Sequence, residues 1–387
     1  MTGVKFIKQS TKLLILKQLF LIEQGIEIFY RRKNLRILII GKDYFHYLSS
    51  LVKACKTLGH DVLKINLIEF KKERGNYLSK NLVKMGLKSA EIRYYQNMNL
   101  QYIEITKTFK PDVCIVINGQ NINQKFLLYL KENKITTRLF MIDSIQANIF
   151  RPFLKNIAYY DKIFSYEPSD LGFLADKHPE VNYLFVGYDS SVFYPLQEMK
   201  KEYDICFIGE LYPFRLELLE RVASYAYRHN RRMIVHTKSR YPKRDIWHAP
   251  RSFIRGIKFK ANYPNVDKYI VDTSLYNEKL SEFYQKSIVC INMHAGKDNK
   301  LHSGPNPRTF EILGSRSFQL IDAEHLDYVH LKDKQHLVEY QDAEQLCENI
   351  EYYLNHEEER KKIAIAGYEC AKEKYTMEEC AKKLLEL

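Results

Sequence analysis

No two of the seven cysteines stand in a C-x-x-C spacing, and their number is odd. A paired-thiol redox centre, a zinc ribbon and a complete disulfide framework are therefore not expected. Cys114, Cys206 and Cys290 lie inside apolar runs and read as reduced core residues. No G-x-G-x-x-G follows the first apolar run, where Gly41 stands alone, which disfavours a dinucleotide redox cofactor. A Walker-type G-x-x-x-x-G-K-[ST] is missing too, as are D-x-D and any His/Cys cluster, so neither a metal nor another cofactor is expected. An anion would have to be held by backbone dipoles and basic side chains. No run reaches the roughly 18 apolar residues of a membrane span, because Lys17 and Glu23 interrupt the best one. "LLILKQLFLI" is not followed by a small-residue cleavage site, so a cytoplasmic location is expected.

What is abundant is positive charge. The chain of 387 residues has a formal net charge of +13. That favours an anionic partner: nucleic acid, an acidic membrane face, a phosphorylated acceptor or a nucleotide-linked donor. No RNA-binding aromatic signature, zinc pattern or helix-turn-helix spacing supports nucleic acid, so none is expected. Residues 1–34 read as a basic amphipathic helix. Three places for it stay open: the inner face of a membrane as a peripheral contact, the body of the protein, or a second copy in a homo-oligomer.

The length points to two domains. "LRILIIG", a helical stretch from Tyr44 to Leu58 and "GHDVLKIN" form a strand, helix, strand pattern, with Gly59 as helix C-cap. The alternation continues through "DVCIVIN", "TRLFMID", "KIFSYE" and "NYLFVG". A second series runs through "YDICFIGE", "RRMIVHT", "SIVCINM", "SFQLIDA" and "HLVEYQD", and the chain closes in helices. The expected organisation is the N-terminal helix, a domain over 35–195, a second over 196–375 and a terminal helix over 376–387. The fold class is α/β: two doubly wound Rossmann-like domains facing a cleft, with ligands outside the carboxyl ends of the strands.

Two stretches concentrate candidate chemistry. In "FIGELYPFRLELL", a strand ends at Gly209 and Arg215 falls in the next helix's first turn, where it would either fork onto a phosphate or pair with Glu217 or Glu220 on the surface. In "HSGPNPRTFEILGSRSFQLID", Gly304 permits close approach to a ligand and Pro305 suits a helix's first turn. Pro305 and Pro307 remove donors, leaving the N–H groups of Asn306, Arg308 and Thr309 for an anion. Arg308 and Glu311 share one face. That pair is either a surface ion pair or an anion contact beside a carboxylate able to accept from a vicinal diol. "CINMHAGKDNKLHSG" adds His294, Gly296, Lys297 and His302 on a loop, and the basic tract around Trp247 could be a phosphate surface or a solvated loop.

From "YDICFIGELYPFRLELL" through "INMHAGKDNKLHSGPNPRTFEILGSRSFQLID" to "YYLNHEEERKKIAIAGYECAKEKYT", the sequence resembles the C-terminal domain of GT-B fold glycosyltransferases, nearest the CgeB-like type related to family 4-like enzymes. The resemblance implies transfer of a sugar from a nucleotide-diphosphate donor to a glycan or lipid-linked acceptor, without metal and with retention. It places Glu311 on the ribose and Gly304, Asn306, Arg308 and Thr309 near the pyrophosphate. Arg215 follows the domain's first strand at Gly209, and His294 borders the donor sugar. The E-x7-E pattern of many relatives is not intact, since Ser303 stands where the first glutamate would be. The acceptor is expected on "GKDYFHY", "NGQN" and "IDSIQ", with Asp43, His46 and Asp143 as the side chains that could steer or deprotonate it. A non-hydrolysing sugar-nucleotide epimerase on the same plan, and a basic nucleic-acid- or membrane-binding protein with a vestigial cleft, are the alternatives.

Overall fold

The computed structural model describes residues 34–73, 88–197, 199–238, 250–294, 304–322 and 326–387. The expected N-terminal helix, Trp247, and the loop residues Gly296, Lys297 and His302 lie outside the described residues.

Six parallel strands make the first sheet: β1 (Arg36–Gly41), β2 (Asp61–Asn66), β3 (Val113–Ile117), β4 (Thr136–Met141), β5 (Lys162–Ser165) and β6 (Val181–Tyr183), in the order β2-β1-β3-β4-β5-β6. A second parallel sheet holds β7 (Tyr203–Ile208), β8 (Met233–Thr237), β9 (Ile270–Asp272), β10 (Ser287–Asn292), β11 (Gln319–Asp322) and β12 (Val338–Tyr340), ordered β12-β11-β10-β7-β8-β9. The central strands are buried on both faces, which is why they read as unbroken apolar runs rather than alternating ones. Strand order reverses between β1 and β3 in one sheet and between β7 and β10 in the other. At such reversals neighbouring crossovers leave to opposite faces, and a crevice opens beyond the strand ends.

Helices between the strands cover both sheets. Those needed below are α1 (Tyr47–Thr57), α2 (Leu67–Glu73), α3 (Lys88–Phe109), α4 (Gln124–Glu132), α5 (Pro168–Ala175), α6 (Pro213–Arg228), α7 (Pro250–Asn262), α8 (Asn277–Gln285), α9 (Pro307–Gly314), α10 (Ala343–Asn355), α11 (Glu357–Lys374) and α12 (Met377–Leu385). Gly59 has φ +91°, as a helix-ending glycine should. Two details differ from the sequence reading. In "NYLFVG" only the first two residues extend β6, and Leu184–Val186 continue as buried connecting chain. The three-residue edge strand β9 carries no apolar run long enough to announce it.

The two halves are tied twice. Tyr188, in the connection, donates its N–H to the carbonyl of Tyr375 at 3.1 Å and accepts from the Met377 N–H at 2.8 Å. Gly187 is obligatory there, since a Cβ on it would stand 2.4 Å from the Thr376 carbonyl oxygen. Beyond this crossing α12 returns to the first half and packs on α1, while Glu386 pairs with Arg138 and Lys162 beside the first sheet. A single apolar cluster accordingly runs from Ile37 and Leu51 through Phe185 and Tyr188 to Phe310, Leu313 and Leu384.

Candidate active site

A cavity of about 540 Å³ opens between the two sheets, at the carboxyl ends of their strands. From the first half it is lined by Phe45, His46, Tyr47 and Tyr166, and from the second by Gly209, Arg215, Thr237, His294, Asn306, Arg308 and Glu311 among others.

Its floor is cationic. Arg215 is 7% exposed, not the surface residue that pairing with Glu217 or Glu220 would require. Three of its donors are committed to carbonyl oxygens: Nε to His294 at 3.1 Å, Nη1 to Glu210 at 3.0 Å and Nη2 to Met293 at 2.6 Å. These bonds fasten the loop after β7 to the loop after β10 across the point of strand reversal. Arg308 comes from α9 to the same spot. A Cβ on Gly209 (φ +155°) would lie 3.1 Å from Arg308 Nη2 and 3.3 Å from Arg215 Nη1. The two guanidinium groups thus converge over a glycine, where any side chain would be strained. Burial, and next the neighbouring Arg308 charge, push the Arg215 pKa down to about 10.

The start of α9 is built differently from the sequence expectation. The helix begins at Pro307 with Asn306 as its N-cap, so Pro305 stands before the helix. Asn306 Oδ1 accepts from the Thr309 N–H at 3.2 Å, and the Asn306 N–H donates to His294 Nε2 at 3.1 Å. Two of the three amides expected for an anion are therefore spent on the protein itself. The Arg308 N–H has no acceptor among the described residues. His294 is held on its other side by Asp322, whose Oδ1 lies 2.6 Å from Nδ1 and whose Oδ2 accepts the His294 N–H at 2.9 Å. With Nε2 accepting, Nδ1 carries the proton, and the ring acts as a strut between β11 and the helix start. Asn292 completes the frame: its Oδ1 accepts from Asn306 Nδ2 at 2.9 Å and Arg308 Nη1 at 3.4 Å, and its Nδ2 donates to Thr309 Oγ1 at 3.0 Å.

Thr309 is fully buried in that frame and does not line the cavity. Gly304 is likewise turned away. A Cβ there would meet the Pro168 ring at 2.8 Å, so its small size serves packing between the halves rather than ligand approach. Glu311, one turn along α9, is 9% exposed and does not meet Arg308 as an ion pair. Its Oε1 instead accepts from the Tyr47 hydroxyl at 3.4 Å, a contact that spans the cleft. Burial raises the Glu311 pKa above the usual carboxylate value, against the opposing pulls of Arg308 and the Tyr47 bond. The Tyr47 hydroxyl is itself raised by burial and then by Glu311, so it stays protonated and donates.

Of the three acceptor-side candidates, His46 lines the cavity, edge-on to Tyr276 of the opposite half with ring centroids 6.3 Å apart. It and Phe45 both hold left-handed backbone, φ 63° and 51°, which is costly for side chains of this size and typical of functional loops. Asp43 is drawn inward from the same loop, where it accepts from the Ser49 amide at 3.1 Å and faces Lys64 at 3.9 Å. Asp143 is exposed at the end of β4 and accepts from Asn118 Nδ2 at 2.7 Å. Neither aspartate is in the cavity lining.

Sequence reasoning did not single out Tyr47, Thr237 or Tyr284. Thr237 Oγ1 and the Tyr284 hydroxyl are buried beside the cavity and make no hydrogen bond among the described residues. Such groups are costly unless something else pairs with them. His236, bonded through Nδ1 to Thr273 Oγ1 at 2.9 Å, is kept neutral by burial, which lowers its pKa. The position of Thr237 at the end of a strand was the one available signal for it. Tyr47 and Tyr284 come into the cleft only through tertiary packing. Among the described residues no group of three His, Cys, Asp or Glu side chains could hold a metal ion.

Comparison with known proteins fits this geometry. Residues 217–386 match the family model described as "Glycosyl transferase-like". The spore protein CgeB of Bacillus subtilis is 22% identical over 319 residues, covering 75% of this chain and 90% of its own length. Among solved structures, a glycosyltransferase from Rickettsia africae superposes with a TM-score of 0.62 at 15% identity, over 92% of this chain and 97% of that one. HepE of Anabaena, solved in complex with UDP-glucose, gives 0.60 at 8% identity, over 91% and 98%. The fold is that of GT-B glycosyltransferases, and the second half of the chain matches a glycosyl transferase-like family model. Arg308 and Glu311 lie within the matched residues, and Gly209 and Arg215 lie just before them. No helix among the described residues is long and apolar enough to cross a membrane.

Proposed function

We propose that the cleft binds a nucleoside-diphosphate sugar with its diphosphate over Gly209, between Arg215 and Arg308. The observation that carries this reading is the convergence of two guanidinium groups, one buried, at a point of close backbone approach, with no carboxylate among the described residues within ion-pair distance of either. Like charges brought together in this way are repaid when an anion lies between them. The ribose diol would sit on Glu311, replacing the Tyr47 hydroxyl, and the Arg308 N–H would add one backbone donor. HepE, which shares the fold, binds UDP-glucose, and this supports the donor class.

Transfer would proceed to a hydroxyl of a glycan or lipid-linked acceptor presented by the loops after β1, β3 and β4. Of Asp43, His46 and Asp143, only His46 lines the cavity, and it is the one we assign to steering or deprotonating the acceptor. Arg215 and Arg308 would stabilise the departing diphosphate, so that charge is handled by fixed cations without a metal. Retention of configuration is the outcome that the family resemblance supports, and the anomeric form of the product tests it.

The test is thermal stabilisation of the purified chain by UDP, GDP, ADP and CMP and their sugars. Selective stabilisation by one nucleoside diphosphate is the expected result, and indifference to all of them would sink the reading. Donor consumption followed with and without acceptor distinguishes transfer from epimerisation, since an epimerase turns over its nucleotide sugar alone.

A further inference from the structure

Helix α7 carries its apolar residues on the wrong side for a helix that only packs on its own domain. Gly256 is buried and Phe259 packs on the core of the second half, which defines the inner face. Ile254 and Ile257 are 54% and 56% exposed. At roughly 100° per residue they stand nearly opposite that inner face, with Ala261 between them one turn on, so the outward stripe of the helix is aliphatic. Lys258 and Lys260, both exposed, flank the stripe on either side.

The charge along the helix itself has one sign. The helix contains no Asp or Glu, and between Lys238 and Lys260 the sequence has eight Lys or Arg against the single carboxylate of Asp245. Aliphatic residues on an outward stripe, with lysines at its borders, suit an interface where the apolar residues enter a hydrocarbon boundary and the cations reach phosphates. A second copy of this chain suits it poorly, because each copy has a net charge of +13 and would bring the same cations to the contact. Nucleic acid would use the cations and leave the isoleucines in water.

We infer that α7 is a docking surface for an anionic lipid bilayer, through which the second half of the chain rests on a membrane independently of the basic segment 1–33. The inference does not depend on which nucleotide the cleft takes.

The experiment is co-sedimentation of the full chain with vesicles of phosphatidylcholine alone or with phosphatidylglycerol added, at rising salt. Four chains are compared: the native one, Ile254→Ser/Ile257→Ser, Lys258→Glu/Lys260→Glu, and Ile254→Leu/Ile257→Leu. Since residues 1–33 are common to all four, differences among them report on the helix. The native chain is expected to bind the anionic vesicles and release with salt. The serine and glutamate pairs should each lose roughly tenfold in partitioning, and the leucine pair should retain it. All substituted positions are exposed, and unchanged melting temperatures would confirm folding. Absence of binding to anionic vesicles overturns the inference, as does binding that the serine and glutamate pairs leave unchanged. A serine pair that abolishes self-association in light scattering while vesicle binding persists would also overturn it, assigning the face to a second copy.

Discussion

Replacing Arg308 by methionine should separate what the site costs from what it does. The substitution keeps the length of the aliphatic stem and removes the charge. In the free protein the nearest Arg215 and Arg308 nitrogens stand 3.3 and 3.1 Å from a single point above Gly209, so those nitrogens are no more than about 6 Å apart, and about 6 Å is taken as the charge separation. Coulomb's law at an effective dielectric constant of about 20 gives roughly 3 kcal/mol of repulsion. Arg308 is partly exposed, so water screens some of this, and about 1–2 kcal/mol is a fair remainder. Against it stands the 3.4 Å bond from Arg308 Nη1 to Asn292 Oδ1, which is long and contributes little.

The free variant should therefore be as stable as the native chain or melt about 1–3 °C higher. Binding should move the other way. Each hydrogen bond from a guanidinium to phosphate is worth about 1.5–3 kcal/mol, so losing one weakens nucleoside diphosphate binding roughly 10- to 150-fold. Calorimetric melting without ligand, paired with titration of the preferred nucleotide, measures both quantities. Opposite signs are the mark of a charge kept for function at some expense of stability. A variant that melts several degrees lower and binds nucleotide with native affinity would refute the reasoning and make Arg308 a structural residue.

Four further expectations follow from the same contacts. Glu311→Gln should raise the melting temperature at neutral pH and weaken donor binding. Because burial raises the folded-state pKa of Glu311, its carboxyl favours the folded chain below about 4.5 and loses that contribution as pH rises through the raised value. The glutamine variant's advantage should then shrink on acidification, and a constant difference across that window would contradict the assignment. Tyr47→Phe removes the hydroxyl that bridges the cleft, so solution scattering should show a more open free chain while the nucleotide-bound chain is unchanged; identical free-state curves would mean the bond does not hold the cleft. Gly209→Ala places a methyl against both arginines and Phe207 on left-handed backbone, and should cost about 1–3 kcal/mol along with nucleotide binding, measured by denaturant titration. Gly187→Ala drives a methyl into the Thr376 carbonyl, so α12 should become protease-sensitive before the rest of the chain does.

The sheets were legible because a strand buried on both faces needs a continuous apolar run, and "RILIIG", "VCIVI" and "YDICFI" are such runs. β9 was not, because "IVD" is short and half-exposed at a sheet edge, where nothing demands a longer run. Arg215 was legible as a residue after a strand at a helix start, but whether it faced solvent or the cleft was not. That was decided by the carbonyls of Met293 and His294, nearly eighty residues away.

The helix start at Asn306 shows the limit more sharply. Local rules counted three amide donors, and the count itself was sound. Two were consumed: that of Asn306 by His294, fixed by Asp322 on another strand, which no local rule names, and that of Thr309 by the Asn306 side chain, a local cap that appears only once the helix start is moved to Pro307. The consequence is chemical. A helix mouth with its amides occupied is a weak anion site, so in the proposed reading attraction for a diphosphate shifts from the backbone to Arg215 and Arg308, which α6 and α9 bring to Gly209. The preorganising network of Asn292, His294 and Asp322 then has a definite task. It holds α9 in the one position where Arg308 can reach Arg215 and where Glu311, one turn later, faces Tyr47 across the cleft.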